Sequence, residues 1–553
     1  MTKTSIRKKA LVGSSIVMTA VLLGACGNSS ANESNSSKTA SKIKLSAQSN
    51  IAMMDSRVAS DETSIQALNQ TNEGLYSYNL DGKLVPAIAE KTTTNKAKTV
   101  YTFKLREDAE WSNGEKVTAA DFEYAWKSAV DPKTASTYTY LFDGVVKNAS
   151  DIIAGKKKNS ELGVEATAAD TLKVTLERPV PYFDTLLSFS VFFPLNEKFV
   201  TAQGEKYAQD SDRILYNGPY VMKDWKQASD SWTLTKNTKY WDEKNVKTKT
   251  FVYHLLENSG TGANLFETGE IDRVLLTGDY AKQYKTNDNF VKRTGSFVYY
   301  IKFNQTKNTA VTGLDNLNLR KALKAAIDTK SLTEHVLSNG SIPAEGFIPK
   351  DFVANPDTGK DFREDAGAVT AYDVAAAKKY YAKAKAETGK DSFTLELLND
   401  DTDGSKPTAE YIQNQWQTNL PGVKVEIKTV PKTSRLELNT KKDYETQLTA
   451  WGPGYQDLTT YLDTLKSDAV SNSMGYNDKA YDELITKAAV DYGTEPLKRW
   501  NTFIEAEKLA VQEDAALAPL YQNALASLEN PQLKNFKRYP YALTALKYVY
   551  LEK

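Results

Sequence analysis

Apolar and polar residues alternate at Ile43-Lys-Leu-Ser-Ala, which predicts the first strand of the folded chain. Val100-Tyr-Thr-Phe-Lys-Leu alternates again and places Tyr101, Phe103 and Leu105 on one strand face. The period then changes. Phe122, Ala125, Trp126 and Ala129 fall at i, i+3, i+4 and i+7, one apolar face of a helix. Thr118-Ala-Ala-Asp121 before them predicts a capping box, and Asp81-Gly82 between two short runs predicts a hairpin. Val298 to Phe303, Phe393 to Leu398, Val423 to Lys428, Tyr444 to Ala450 and Leu517 to Tyr521 read as strands. Leu319 to Ile327, Tyr372 to Glu387, Pro407 to Gln417, Tyr481 to Val490 and Pro496 to Glu513 read as helices. This alternation predicts an α/β protein with a mixed sheet covered by helices. No internal repeat interrupts it.

The first residues read differently. Lys3, Arg7, Lys8 and Lys9 precede an apolar run, Ala10 to Leu23, which is short and wrongly flanked for a membrane span. The run ends in Leu23-Gly24-Ala25-Cys26, and small residues before a lone cysteine resemble a bacterial lipobox with Cys26 as the lipidated mature N-terminus. Residues 1–26 are thus expected to be a lipoprotein signal. With Cys26, the only cysteine, acylated, no disulfide can form. Residues 27–42 are almost all Ser, Asn, Ala, Thr and Lys, the composition of a flexible tether.

The rest of the chain exceeds the ~250–300 residues at which single cores stop growing, so two or three lobes are expected. Lysine plus arginine and aspartate plus glutamate both number 70, which argues against nucleic acid or an anionic bilayer as the main partner. The 31 tyrosines suit a wet binding surface and equally suit a core. Raw material for catalysis is scarce. There are two histidines, His254 and His335, no HExxH and no phosphate-loop motif, and Gly260-Thr-Gly262 lacks the third glycine of a dinucleotide fingerprint. No carboxylate spacing nominates a hydrolase pair. The expectation is a binding protein, with no enzyme activity, metal or cofactor.

The stretch Ala450 to Leu465, AWGPGYQDLTTYLDTL, carries the candidate site. A short strand runs into Gly452-Pro453-Gly454, which breaks regular structure between Trp451 and Tyr455, and Asp457 follows. Two readings fit. One is an ordinary strand-to-helix turn with core aromatics. The other is a backbone edge left unpaired in a cleft, able to take an extended peptide as an added strand.

Trp451, Tyr455, Asp457, Thr460, Tyr461 and Leu462 resemble the W-x-x-D-Y-x-D-P-x-x-(aromatic)-L segment of oligopeptide-binding proteins of ABC importers. Leu84 to Lys127 resembles the signature of the family-5 solute-binding proteins, and the resemblance extends from about Leu45 to about Tyr550. It implies a periplasmic-binding-protein-like fold: two α/β lobes joined by hinge strands, plus an inserted third domain. Lobe I would comprise 43–72, 203–303 and 521–553, the insert 73–202, and lobe III 304–520. It also implies a peptide held through its backbone by Val58, Ala59, Ser60, Asp61 and Glu62 on one side and by Ala450, Trp451 and Gly452 on the other. Delivery to a permease with cytoplasmic ATPases would follow, from a monomer anchored by lipid on the outer face of a Gram-positive cell. Related scaffolds carry oligosaccharides or metal chelates, and others sense peptide signals. Gly454 departs from the pattern, because the family carries there an aspartate that holds the peptide's α-ammonium; Leu458 replaces the family's proline. Either Asp457 or the acidic turn Asp400, Asp401 and Asp403 takes over the amine, or the ligand does not depend on a free one.

Overall fold

The computed structural model describes residues 41–402, 404–469, 471–539 and 544–552. The targeting segment, Cys26, nearly all of the tether and Asp403 lie outside them.

One large mixed sheet organises the chain. In chain order its strands are β1 (Lys42–Ala47), β2 (Tyr220–Lys223), β3 (Ser231–Lys236), β4 (Thr250–Leu255) and β5 (Arg273–Leu276). Then come β6 (Phe290–Phe303), β7 (Phe393–Asp400), β8 (Val423–Val430), β9 (Thr446–Trp451) and β10 (Leu517–Glu529). Across the sheet the order is β8-β7-β9-β6-β10-β5-β1-β4-β3-β2, and a two-residue strand, Ile342–Pro343, also pairs with β10.

β6 and β10 are the longest strands, 14 and 13 residues, and they serve both halves of the sheet. Phe290 to Thr294 pair with Leu528 to Ala524, the ladder slips, and it resumes at Val298 opposite Gln522. The slip is built into the sequence. A Cβ at Gly295 would lie 2.3 Å from Asn523 Oδ1, so glycine leaves the room that this side chain occupies. Asn523 Oδ1 instead accepts the Phe297 N–H at 3.1 Å, and Gln522 Nε2 donates to the Gly295 carbonyl at 2.8 Å. These bonds satisfy the backbone groups the bulge frees.

Apolar side chains collect in separate cores. One centres on Phe251, Trp232 and Tyr220, around β1 to β4. Two others line the opposite faces of the far half of the sheet: Leu395, Trp416 and Leu448 in one, Tyr300, Phe347 and Tyr461 in the other. Residues 75–200 have a core of their own, which buries Tyr455 from elsewhere and has Ile65, Tyr207, Leu215 and Trp241 packed against it. There a four-stranded antiparallel sheet runs Ala89–Thr94, Val100–Leu105, Thr171–Thr175, Val164–Ala168.

Four helices matter below: α1 (Glu62–Thr71), α2 (Ala119–Ala129), α3 (Lys432–Thr440) and α4 (Pro496–Glu507). α2 follows the sequence pattern closely. Its capping box is formed, Asp121 Oδ2 accepting the Thr118 N–H at 2.8 Å. Its apolar face buries Phe122, Ala125, Trp126 and Ala129. The Trp126 indole packs edge-on to Phe192 at 5.1 Å and donates to the Phe192 carbonyl at 2.9 Å. α4 is shorter than the sequence pattern predicts. It ends at Glu507, and a wider π turn carries the chain to Glu513.

Candidate functional site

β9 is paired unequally on its two sides. Its ladder with β6 runs its whole length, from Phe303 opposite Thr446 to Val298 opposite Trp451. Its ladder with β7 has only two rungs, Leu397–Thr446 and Leu398–Gln447. From Leu448 to Trp451 the side facing away from β6 therefore has no strand partner among the described residues. Arg435, from α3, bridges the two strands where their ladder has ended. Its Nε donates to Asp400 at the end of β7, and its Nη1 donates to Thr449 Oγ1 on β9 at 3.0 Å. The gap exposes alternate backbone N–H and C=O groups of β9.

The chain leaves β9 through Gly452, Pro453 and Gly454, and the two glycines differ. A Cβ at Gly452 would strike the Phe297 ring at 2.5 Å, so the turn depends on a bare backbone there. A Cβ at Gly454 would meet only Phe189 Cε2 at 3.8 Å and Tyr140 Oη at 3.9 Å, ordinary contacts. The Gly454 N–H donates to Thr460 Oγ1 at 3.2 Å. Tyr138 joins this aromatic wall, packing on Phe189 at 4.9 Å and on Tyr140 at 6.1 Å. Tyr140 remains 50% exposed, yet burial around its hydroxyl holds its pKa well above the usual value. A side chain both accessible and enclosed lies in a recess.

The other stretch that the sequence nominates is the loop before α1. Asp55 organises it: its carbonyl accepts the Val58 and Ala59 N–H groups at 3.1 and 2.9 Å, and its carboxylate forks onto Arg57. Ala59 is fully buried, whereas Ser60 is exposed. Asp61 caps α1 by accepting the Ser64 N–H at 2.9 Å, and Glu62 pairs with Arg538 at 2.7 Å. The charges of this loop act on tyrosines of β6 and of the aromatic wall. Burial, then the charges of Asp400 and Glu62, raise the Tyr299 hydroxyl. Burial and the charge of Asp61 push that of Tyr138 up to about 12.

Ala450, Trp451, Gly452 and Gly454 thus lie on the open edge and its exit turn. Trp451 is partly buried and ties the turn to the following helix by donating to the Thr460 carbonyl at 2.7 Å. Tyr455 and Asp457 differ from expectation. Tyr455 is buried among residues 75–200, stacked on Tyr182 at 5.2 Å, with its hydroxyl 3.0 Å from Thr459 Oγ1. Asp457 is buried and forked onto Arg499 of α4 at 2.8 and 2.6 Å, and it also accepts the Thr459 N–H and hydroxyl. The Arg499 fork already offsets the charge of this carboxylate, and three of its four bonds fall on Oδ1. Asp457 and Arg499 line a different cavity, of about 570 Å³, with Tyr101, Pro181, Asp184 and Trp500. Asp400 is likewise taken, by Arg435. The sequence reading missed Tyr138, Tyr140, Phe189, Tyr299 and Arg435. No motif marks them; the alternation Tyr138-Thr-Tyr140 in a turn was the one available signal.

A strand edge left unpaired in a recess, with two long strands shared by the halves on either side, defines the class: a cleft-forming binding protein with a sheet hinge. Comparison with known proteins makes the class specific. The chain belongs to the bacterial extracellular solute-binding proteins, family 5, whose model matches residues 83–473. It is 31% identical over 528 residues to a dipeptide-binding protein of Lactococcus lactis, covering 94% of each chain. Among solved structures it is similar to Listeria monocytogenes OppA bound to peptide, with 43% identity, a TM-score of 0.82 and coverage of 93% and 99%. It is also similar to the pheromone receptor PrgZ, with 33% identity, a TM-score of 0.82 and coverage of 93% and 100%. The fold is that of the periplasmic-binding-protein-like family.

Proposed function

We propose that this protein captures oligopeptides between its lobes and delivers them to the permease of an ABC importer. One observation carries the reading: the edge of β9 from Leu448 to Trp451 has no strand partner on one side among the described residues and offers main-chain groups to an extended chain, with Val58 to Glu62 as the facing backbone in this reading. Main-chain pairing supplies affinity with little regard for side chains. The names of relatives point the same way, since they bind dipeptides and oligopeptides. In this reading β6 and β10 are the hinge. Residues 43–72, 203–303 and 521–553 form lobe I, 73–202 the insert and 304–520 lobe III, a division consistent with the separate cores. Cys26 carries the lipid that holds the monomer on the outer face of the cell membrane, and the protein catalyses no reaction itself.

The test is calorimetric titration of the purified protein with a degenerate pool of short peptides, paired with growth of a deletion strain on peptides as its amino-acid source. Saturable binding and lost growth are expected. Absence of both would end the reading, and oligosaccharides and metal chelates would be tried next. The likeness to a pheromone receptor favours one other reading, a surface receptor for signalling peptides. It would give binding with intact growth. A Cys26→Ser variant shed into the medium would support the anchor.

A further inference from the structure

Two of the carboxylates that the sequence offers to a ligand's amine are already paired. Asp457 is neutralised by Arg499, and Asp400 by Arg435. On the loop before α1, Asp61 caps that helix and Glu62 is paired with Arg538. What does face Gly454 is aromatic: the Phe189 edge at 3.8 Å and the Tyr140 hydroxyl at 3.9 Å from its Cβ position. That hydroxyl makes no hydrogen bond with any described residue, and the ring is half exposed in the recess. Neither ring offers a counter-charge to an ammonium or carboxylate desolvated against it, and proteins avoid such an arrangement. A phenol both donates and accepts, so it matches an amide, which does the same.

We infer that the subsite at Gly454 takes an uncharged amide of the peptide, walled by Tyr138, Tyr140 and Phe189, and does not take a charged terminus. The inference rests on the peptide reading above. Two sources supply such an amide: the blocked end of a short peptide, or the middle of a longer one that continues past the turn.

The experiment is titration of the purified protein with short degenerate peptide pools in four forms: free, N-acetylated, C-amidated and blocked at both ends. A longer free pool is added. Blocked short peptides are expected to bind at least as tightly as free ones. Parity of the longer free pool with the blocked pool assigns the amide to mid-chain, and preference for the blocked short pool assigns it to a capped end; either supports the inference. Tyr140→Phe, which keeps the ring, is expected to weaken the blocked pool about fivefold, the effect of one neutral hydrogen bond. Gly454→Asp, for which there is room, is expected to help the free-amine pool about tenfold. A short free pool that outbinds the blocked pool by about tenfold or more in the native protein would overturn the inference and leave the peptide reading standing. Failure of every pool would overturn both.

Discussion

Asp457 and Arg499 invite a quantitative test, because the sequence offers Asp457 as a ligand anchor and the structure makes it internal. The pair is bidentate, at 2.8 and 2.6 Å, with side-chain exposures of 11% and 10%. Two further bonds from Thr459, at 3.0 and 2.7 Å, both reach Asp457 Oδ1. Burial opposes the Arg499 charge, but the charge and bonds of Asp457 more than offset it, and the guanidinium pKa is raised. Its Nε has no acceptor among the described residues, so Arg499 depends on Asp457 for its pairing there. Removing one member of a buried pair costs about 3–5 kcal/mol, because the other stays buried without its partner. Arg499→Met leaves Asp457 with the Thr459 bonds and belongs at the lower end. Asp457→Asn leaves an unpaired cation and belongs higher. The double variant costs less than the sum, with a coupling on the order of 2 kcal/mol. Urea denaturation of the four proteins, followed by both tryptophan fluorescence and circular dichroism, measures the cycle. Single variants that lose less than about 0.5 kcal/mol, together with abolished peptide binding, would refute the reasoning and return Asp457 to the ligand.

Three other outcomes are expected. Gly452→Ala costs about 1–3 kcal/mol in the same assay, because the Phe297 ring must give way, whereas Gly454→Ala is near neutral; equal costs would show the turn geometry to be wrong. Trp126→Ala costs about 3–5 kcal/mol by opening the core of residues 75–200 and freeing the Phe192 carbonyl. Burial pushes the Asp463 carboxyl up to about 7, so the native state holds its proton where the unfolded chain, near 3.8, has lost it. That contribution to stability is complete below about pH 4 and lost as pH rises to about 7. Asp463→Asn should flatten this slope, and an unchanged pH profile would place the titration elsewhere.

Periodicity made the frame legible. The capped α2, the Asp81-Gly82 hairpin and the alternating runs of β6 to β9 all follow local rules that act over a few residues. The position of the open edge was also readable, because Gly-Pro-Gly can end a strand only by leaving its backbone to other partners. The rest depended on distance along the chain. Arg435 serves Asp400 and Thr449, respectively 35 and 14 residues away, and Tyr140 meets Gly454 across more than half the chain. No local pattern encodes such meetings. Asp457 misled for the same reason: its motif gives a carboxylate beside the site, and only the fold supplies the arginine that claims it.

Leaving four residues of β9 unpaired on one side has a cost outside ligand capture. A bare strand edge recruits any extended chain it meets, including unfolded copies of the same protein, and that is a common start for aggregation. Here the hazard is confined. The edge is short, it lies inside the sheet order between β7 and β6, and a guanidinium occupies its near end. Occupancy by cargo would cover what remains, so the loaded protein should resist clumping better than the empty one. A protein built to accept stray chains is in this way shielded by the chains it accepts.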